Sequence, residues 1–112
     1  MDNDQGGENE ARALGMLGLC ARAGQLISGE SACELALREG KAVLVLLDTG
    51  ASANLRKKFR NACSFRGVTL HEVRAGRLGQ AIGRQERMVV ALPKGSIAER
   101  LSELLAIQYD MN

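Results

Sequence analysis

Leu17-Gly-Leu-Cys-Ala-Arg-Ala-Gly-Gln-Leu-Ile-Ser-Gly-Glu-Ser-Ala-Cys-Glu-Leu-Ala-Leu-Arg-Glu-Gly-Lys-Ala-Val-Leu-Val-Leu-Leu-Asp48 is the stretch whose reading decides the fold. A helix closes at Gly24, and Leu26-Ile27 is a short extended piece. A Ser-Gly step then starts a second helix near Ser28, and Gly40 stops it. Ala42-Val-Leu-Val-Leu-Leu47 follows, apolar at every position and rich in β-formers. It is too short for a helix and has the pattern of a central strand covered on both faces. Between the two helices, Ser28-Gly29-Glu30-Ser31 presents backbone N–H groups at a helix start among polar side chains. Such a place can hold a phosphate or a base edge.

Working outward, Leu14, Leu17, Cys20 and Ala21 recur at helical spacing and predict a first helix from about Glu10 to Ala23. Residues 1–9 are acidic and Gly-rich and read as a disordered lead-in to a single domain over residues 10–112. On the second helix Cys33, Ala36 and Leu37 face the core, while Leu35 lies off that stripe. Ser31 and Glu34 have capping-box spacing, with Ser28 as an alternative cap. Downstream, Asp48-Thr49-Gly50 turns the chain. Ser52 then caps a third helix, which carries Leu55, Phe59, Ala62 and Cys63 on one side and stops at Gly67. Val68–Val73 reads as a strand, Arg77–Gly83 as a short helix and Met88–Leu92 as a buried strand ended by Pro93, the chain's only proline. Ser96 and Glu99, again at capping-box spacing, open a last helix with Ile97, Leu101, Leu104 and Leu105 on its apolar side. This alternation of helices and strands predicts an α/β sandwich with helices on both faces of the sheet.

The 112 residues are enough to build a core without staples. No apolar run approaches the ~20 residues of a membrane span, and the amino terminus lacks the basic and apolar regions of a signal peptide; a cytoplasmic protein is expected. The formal net charge of +2 conceals an asymmetry. Asp2, Asp4, Glu8 and Glu10 lie in the first ten residues without a base, and the remainder holds fifteen bases against nine acids. Between Arg56 and Lys94 there are ten bases and only two acids, Glu72 and Glu86, and eleven of the chain's bases are arginine. Guanidinium forks match phosphate oxygens, so an Arg-rich half suits a phosphate-bearing partner; a solvated surface is the plainer reading of the same charge.

Catalytic chemistry has little to stand on. Cys20, Cys33 and Cys63 form no Cys-x-x-Cys pair and each falls on an apolar helix face, as small core residues do. His71, the only histidine, sits on a strand and reads as a half-buried structural side chain. Gly76, Gly79 and Gly83 are spaced wrongly for a dinucleotide fingerprint, and neither a P-loop nor a Gly-x-Ser-x-Gly elbow occurs. No cofactor or metal is implied. Phe59, Phe65 and Tyr109 are the only aromatics, too few for a base-stacking platform. An RNA partner would then be folded RNA, read through shape, phosphates and groove edges.

The chain resembles the kink-turn-binding ribosomal protein family of the L-seven-Ae/L-thirty-e type, most of all its small bacterial YlxQ-like branch. The resemblance covers about Ala13 to Leu105. It is carried by residues 17–30 of the stretch quoted above, by Gly40–Asp48, by Leu78-Gly-Gln-Ala-Ile-Gly83 and by Arg87-Met-Val-Val-Ala91. It implies a three-layer α-β-α sandwich around a four-stranded mixed sheet. It also implies an RNA surface made by the start of the second helix and the loop before the last strand. In the family that helix start reads Gly, any residue, Asn, Glu, two residues, Lys, and the loop packs on an extruded base.

Here Gly29 matches the glycine, Ser31 stands in place of Asn, Ala32 in place of Glu and Leu35 in place of Lys. The loop is Arg84-Gln85-Glu86-Arg87. Ala32 cannot accept a hydrogen bond from a guanine edge, and Leu35 cannot reach a phosphate. Each lost base contact typically costs about 1–3 kcal/mol, so two weaken a specific complex by roughly one to four powers of ten.

The expected function is non-catalytic binding of structured RNA, with ribosomal RNA the family's example. The expected contacts are Gly29, Ser31, Arg38, Lys41, Arg84, Gln85 and Arg87. Amides near Gly29–Ser31 hold phosphate or base edges, Arg38 and Lys41 attract phosphates, and Arg84 and Arg87 flank the target. The alternative is a protein-interaction module on the same fold that has given up base-specific recognition, with an exposed Leu35 as an anchor for a partner; ribosome-associated proteins are a further partner class. A monomer is the default, since no coiled-coil heptad is present.

Overall fold

The apolar run after Gly40 is the central strand of the molecule. The computed structural model describes residues 3–110, with side-chain environments over residues 7–106. In chain order the elements are α1 (Asn3–Arg22), β1 (Ile27–Ser28), α2 (Glu30–Arg38), β2 (Leu44–Asp48), α3 (Ala53–Arg66), β3 (Thr69–Val73), α4 (Arg77–Ile82), β4 (Val89–Leu92) and α5 (Ser96–Asp110). The four-stranded sheet has the order β1-β4-β2-β3. β2 pairs parallel with β3 and antiparallel with β4, and β4 pairs antiparallel with β1, so the sheet is mixed. The parallel pair is joined across one sheet face by α3, as a parallel connection requires.

Every residue of β2 is buried, and its side chains alternate between two cores. Leu44 and Leu46 join Val90, Leu92 and Val73 under α1, α4 and α5, where Leu14, Leu17, Leu78, Leu101 and Leu105 pack. Val45 and Leu47 join Val89 and Ala91 under α2 and α3, where Cys33, Leu37, Phe59 and Cys63 pack. The result is the expected α/β three-layer sandwich. The three thiols lie inside these cores. Burial pushes Cys33 up to about 12 and Cys63 to about 11, and it also raises Cys20, so all three stay protonated at neutral pH. His71 is buried too, and desolvation lowers its pKa, which keeps the imidazole neutral near pH 7.

The carboxyl end of β2 is held by a buried carboxylate. Asp48 Oδ1 accepts from the Gly50 amide at 2.7 Å and Oδ2 from the Gly76 amide at 2.9 Å. One side chain thus ties the turn after β2 to the turn after β3.

Local signals set most element ends. Ser52 accepts from Leu55 N at 3.1 Å and caps α3, which ends at Gly67. Three local readings are corrected. The acidic composition predicts a disordered lead-in over residues 1–9 and a helix from Glu10, but α1 already runs from Asn3, with Met1 and Asp2 outside the described residues. Asn9 and Glu10 are buried, and Glu10 accepts from Arg74 Nε at 2.8 Å and Arg74 N at 3.3 Å, a contact across sixty-four positions. The capping box of Ser31 and Glu34 does not form. Gly29 is the cap residue, no side chain bonds there, and Ser31 lies inside the helix. At α5 the Glu99 amide bonds the Gly95 carbonyl at 3.1 Å, so Ser96 is the first helical residue rather than the cap.

Asp48→Ala removes both carboxylate acceptors and leaves two loop amides to find others. A loss of about 2–4 kcal/mol is expected, lowering Tm by roughly 10–20 °C in a domain of this size. Thermal unfolding followed by far-UV circular dichroism checks this; an unchanged Tm would remove Asp48 from its structural role.

Candidate nucleic-acid interface

Sheet order brings the start of α2 beside the loop before β4. Ile27 pairs with Ala91 and Ser28 with Val90, and the Gly29 amide then donates to the Val89 carbonyl at 3.0 Å. On the other side of β4, the Asp48 amide donates to Met88 O at 2.8 Å. The start of α2, the loop ending at Met88 and the end of β2 therefore share one pole of the molecule.

Gly29 turns the chain from β1 into α2 with φ 98° and ψ 159°, a region open essentially to glycine alone. Its lack of a side chain serves a second purpose. A Cβ there would overlap Arg87 Nη1 and lie 3.2 Å from Arg87 Cζ, so the guanidinium rests directly on the helix start. Gly29 offers no side-chain acceptor, and the first intrahelical bond is from Cys33 N to Gly29 O. The amides of Glu30, Ser31 and Ala32 consequently point outward with no cap, at the positive end of the helix dipole.

The loop itself is built on α4. Arg84 N donates to Gly79 O at 2.9 Å and Arg87 N to Arg84 O at 3.0 Å. The loop lies so close that a Cβ on Gly79 would come within 2.6 Å of Arg84 O and 2.9 Å of Gln85 Cα. Arg84 and Gln85 are exposed, whereas Arg87 is half-buried and its Nε has no hydrogen-bond partner among the described residues.

The acids of α2 are less hostile to an anion than their sequence positions imply. Lys58 of α3 sits between them, 2.9 Å from Glu30 Oε2 and also in contact with Glu34 Oε2. Hydrogen bonds that Lys58 donates to Glu34 and then to Glu30 raise the Lys58 ammonium above the usual lysine range. Similarly, Arg56 and Arg60 of α3 both engage Glu72. Nothing in the spacing of Lys58 announces its role, because its partners lie twenty-four or more positions away.

The structure gathers Gly29, Ser31, Arg84, Gln85 and Arg87 at one pole. It does not bring Arg38 and Lys41 there. α2 has nine residues and so is about 13 Å long. Arg38 occupies its last turn, and Lys41 pairs with Glu39 at 3.1 Å beyond it. Leu35 is 48% exposed, as its place off the apolar stripe predicts.

Residues 11–98 match the model of the Ribosomal protein L7Ae/L30e/S12e/Gadd45 family, and the chain belongs to that family. Among curated proteins it is similar to RNA-binding protein YlxQ of Bacillus subtilis, 37% identical over 91 residues, spanning 80% of this chain and 91% of that one. It is also similar to RNA-binding protein YlxQ of Enterococcus faecium, 32% identical over 98 residues, spanning 87% and 94%. Among solved structures, a protein with unknown function from Bacillus halodurans superposes with a TM-score of 0.80 at 33% identity, covering 86% of this chain and 98% of that one. A 15.5kD RNA binding protein from Giardia lamblia superposes at 0.76 with 18% identity, covering 94% and 91%, and shares the fold.

Gly29→Ala forces an L-residue into a glycine-only conformation and displaces the Arg87 guanidinium. A loss of about 1–3 kcal/mol is expected from the backbone strain alone. Urea unfolding measures it, and an unaltered midpoint would show that the helix start is not held as described.

Proposed function

We propose that the protein binds structured RNA, without catalysis, through the amino terminus of α2 and the loop before β4. The observation that carries this reading is the Arg87 guanidinium lying on the uncapped start of α2, with Arg84 beside it and no carboxylate paired to either among the described residues. Helix amides and guanidinium forks converge where an RNA strand can place a phosphate or a base edge. Family membership and the names of the YlxQ relatives support the same partner class.

The contact set is Gly29, Ser31, Arg84, Gln85 and Arg87, with Arg38 and Lys41 contributing long-range attraction from the far end of α2. A kink-turn in ribosomal RNA is the target class to test first, and the protein acts as a cytoplasmic monomer. Ala32 and Leu35 replace two polar readers of the family pattern, so recognition leans on phosphates and backbone amides more than on base-edge hydrogen bonds. The affinity is then strongly salt-dependent and the preference for a kinked RNA is modest.

A second reading is favoured by one observation. Leu35 stands exposed on α2, where an apolar side chain suits a protein partner better than RNA.

Electrophoretic titration against a kink-turn RNA and an unkinked control, at two salt concentrations, tests the first reading. Binding to both that weakens steeply with salt, with a preference for the kinked RNA, is expected; no complex at low salt would overturn it. The double change Arg84→Ala/Arg87→Ala should weaken binding by about tenfold or more, nearly equally for both RNAs, and unaltered affinity would take the loop out of the site. Leu35→Lys is expected to leave RNA affinity the same or slightly raised. If it instead abolishes a protein complex while RNA binding is absent, the second reading stands.

A further inference from the structure

Beside Arg87 lies a hollow of about 260 Å³, lined by Arg22, Ser28, Arg84 and Arg87 together with Leu26 and Ile82. It is formed where the last turn of α1, the end of α4 and the edge strand β1 meet. Three arginines therefore line one hollow, Arg22 from the end of α1 and Arg84 and Arg87 from the loop before β4. None of the three has a carboxylate partner among the described residues, and Glu86, the acid of the adjoining loop, does not line the hollow.

Structural duties do not account for these side chains. The last carbonyls of α1 are already satisfied by backbone, with Ala23 N, Gly24 N and Gln25 N bonding Leu19, Ala21 and Cys20 oxygens at 3.0–3.1 Å, so Arg22 is not needed as a cap. Gly79 O, near the end of α4, is bonded by Arg84 N from the backbone, which frees that residue's guanidinium. Two buried polar atoms on the rim, Ser28 Oγ and Arg87 Nε, have no hydrogen-bond partner among the described residues. Buried donors are ordinarily satisfied, and like charges brought together ask for a counter-charge. A tetrahedral oxyanion answers both demands, with oxygens for the Ser28 hydroxyl, for Arg87 Nε and for the forks of Arg22 and Arg84.

We propose that this hollow is a phosphate seat, which holds one backbone phosphate of the RNA strand that crosses the start of α2. The inference rests on the RNA-binding reading for the source of the phosphate, but not for the chemistry of the seat. Its volume lies below the 300–1,000 Å³ of sites that enclose a whole small ligand, which suits a phosphodiester passing over the surface. Arg87 is shared between the seat and the helix start, so a strand engaging both meets the same guanidinium. The backbone grip made here supplies affinity without reading sequence, in a chain whose Ala32 and Leu35 have given up base contacts.

The test uses the full chain and Arg22→Ala, an exposed residue outside the contact set proposed above. For kink-turn RNA, the slope of log K against log salt is expected to fall in magnitude by about 0.7–0.9, the loss of one phosphate contact. The preference for kinked over unkinked RNA should stay as in the unaltered protein. Ser28→Ala should weaken RNA binding a few-fold while leaving the unfolding midpoint in place. If the unaltered protein binds RNA and Arg22→Ala changes neither slope nor affinity, the seat is overturned and the RNA reading survives.

If the unaltered protein binds no RNA, that reading fails, and inorganic phosphate followed by arginine side-chain NMR decides the seat by itself. Saturable shifts of the Arg22, Arg84 and Arg87 Nε–H signals, with those of Arg84 and Arg87 lost in Arg22→Ala, retain it as a site for a free phosphoester. Their absence overturns it.

Discussion

The complete burial of β2 is the constraint on which the rest of the molecule depends. A strand apolar on both faces must be covered on both, and the two cores on either side of it draw in all five helices. Because β4 runs antiparallel beside β2, the beginning of β4 lies next to the end of β2. Because β1 runs antiparallel beside β4, the end of β1, and with it the start of α2, lies there as well. The meeting of the α2 start with the Arg84–Arg87 loop is thus a consequence of strand order. Asp48 closes the same pole by tying the turns that follow β2 and β3.

Charge is sorted by the fold in a way that composition does not reveal. The Arg-rich half of the chain is largely neutralised where α3 packs, since Arg56 and Arg60 share Glu72 while Lys58 serves Glu30 and Glu34. These partly exposed pairs contribute little to stability. Their effect is to remove acid from the flank of the helix start and cation from α3. Among the described residues, the cations left without an acid partner beside β1 are Arg22, Arg84 and Arg87. An RNA bound here as proposed would be held by its phosphate backbone first and read at its bases second.

Long-range contacts override local spacing at the starts of α1 and α2. Capping boxes were legible at Ser31/Glu34 and Ser96/Glu99, yet glycines one or two positions earlier became the caps. At α2 the pairing of β1 with β4 fixes where the strand ends and so where the helix can begin. Glu34 was then left free to meet Lys58. At the amino terminus, Glu10 is drawn in by Arg74, and a helix that composition alone would place later begins at Asn3.

By itself the sequence determined the alternation of helices and strands, the buried central strand, the core positions Phe59, Cys33 and Cys63, the helix stop at Gly67 and the exposure of Leu35. All of these rest on periodicity and on residues a few positions apart, where local sterics and burial act. The family pattern in the same residues marked Gly29 and the loop at Arg84–Arg87 as a place of interest. Only the tertiary structure decided that Arg87 lies on Gly29, that Lys58 answers Glu30 and Glu34, and that Arg22 and Ser28 share a hollow with the loop. Those facts depend on contacts across tens of residues, set by strand order and helix length, and no local spacing in the chain encodes them.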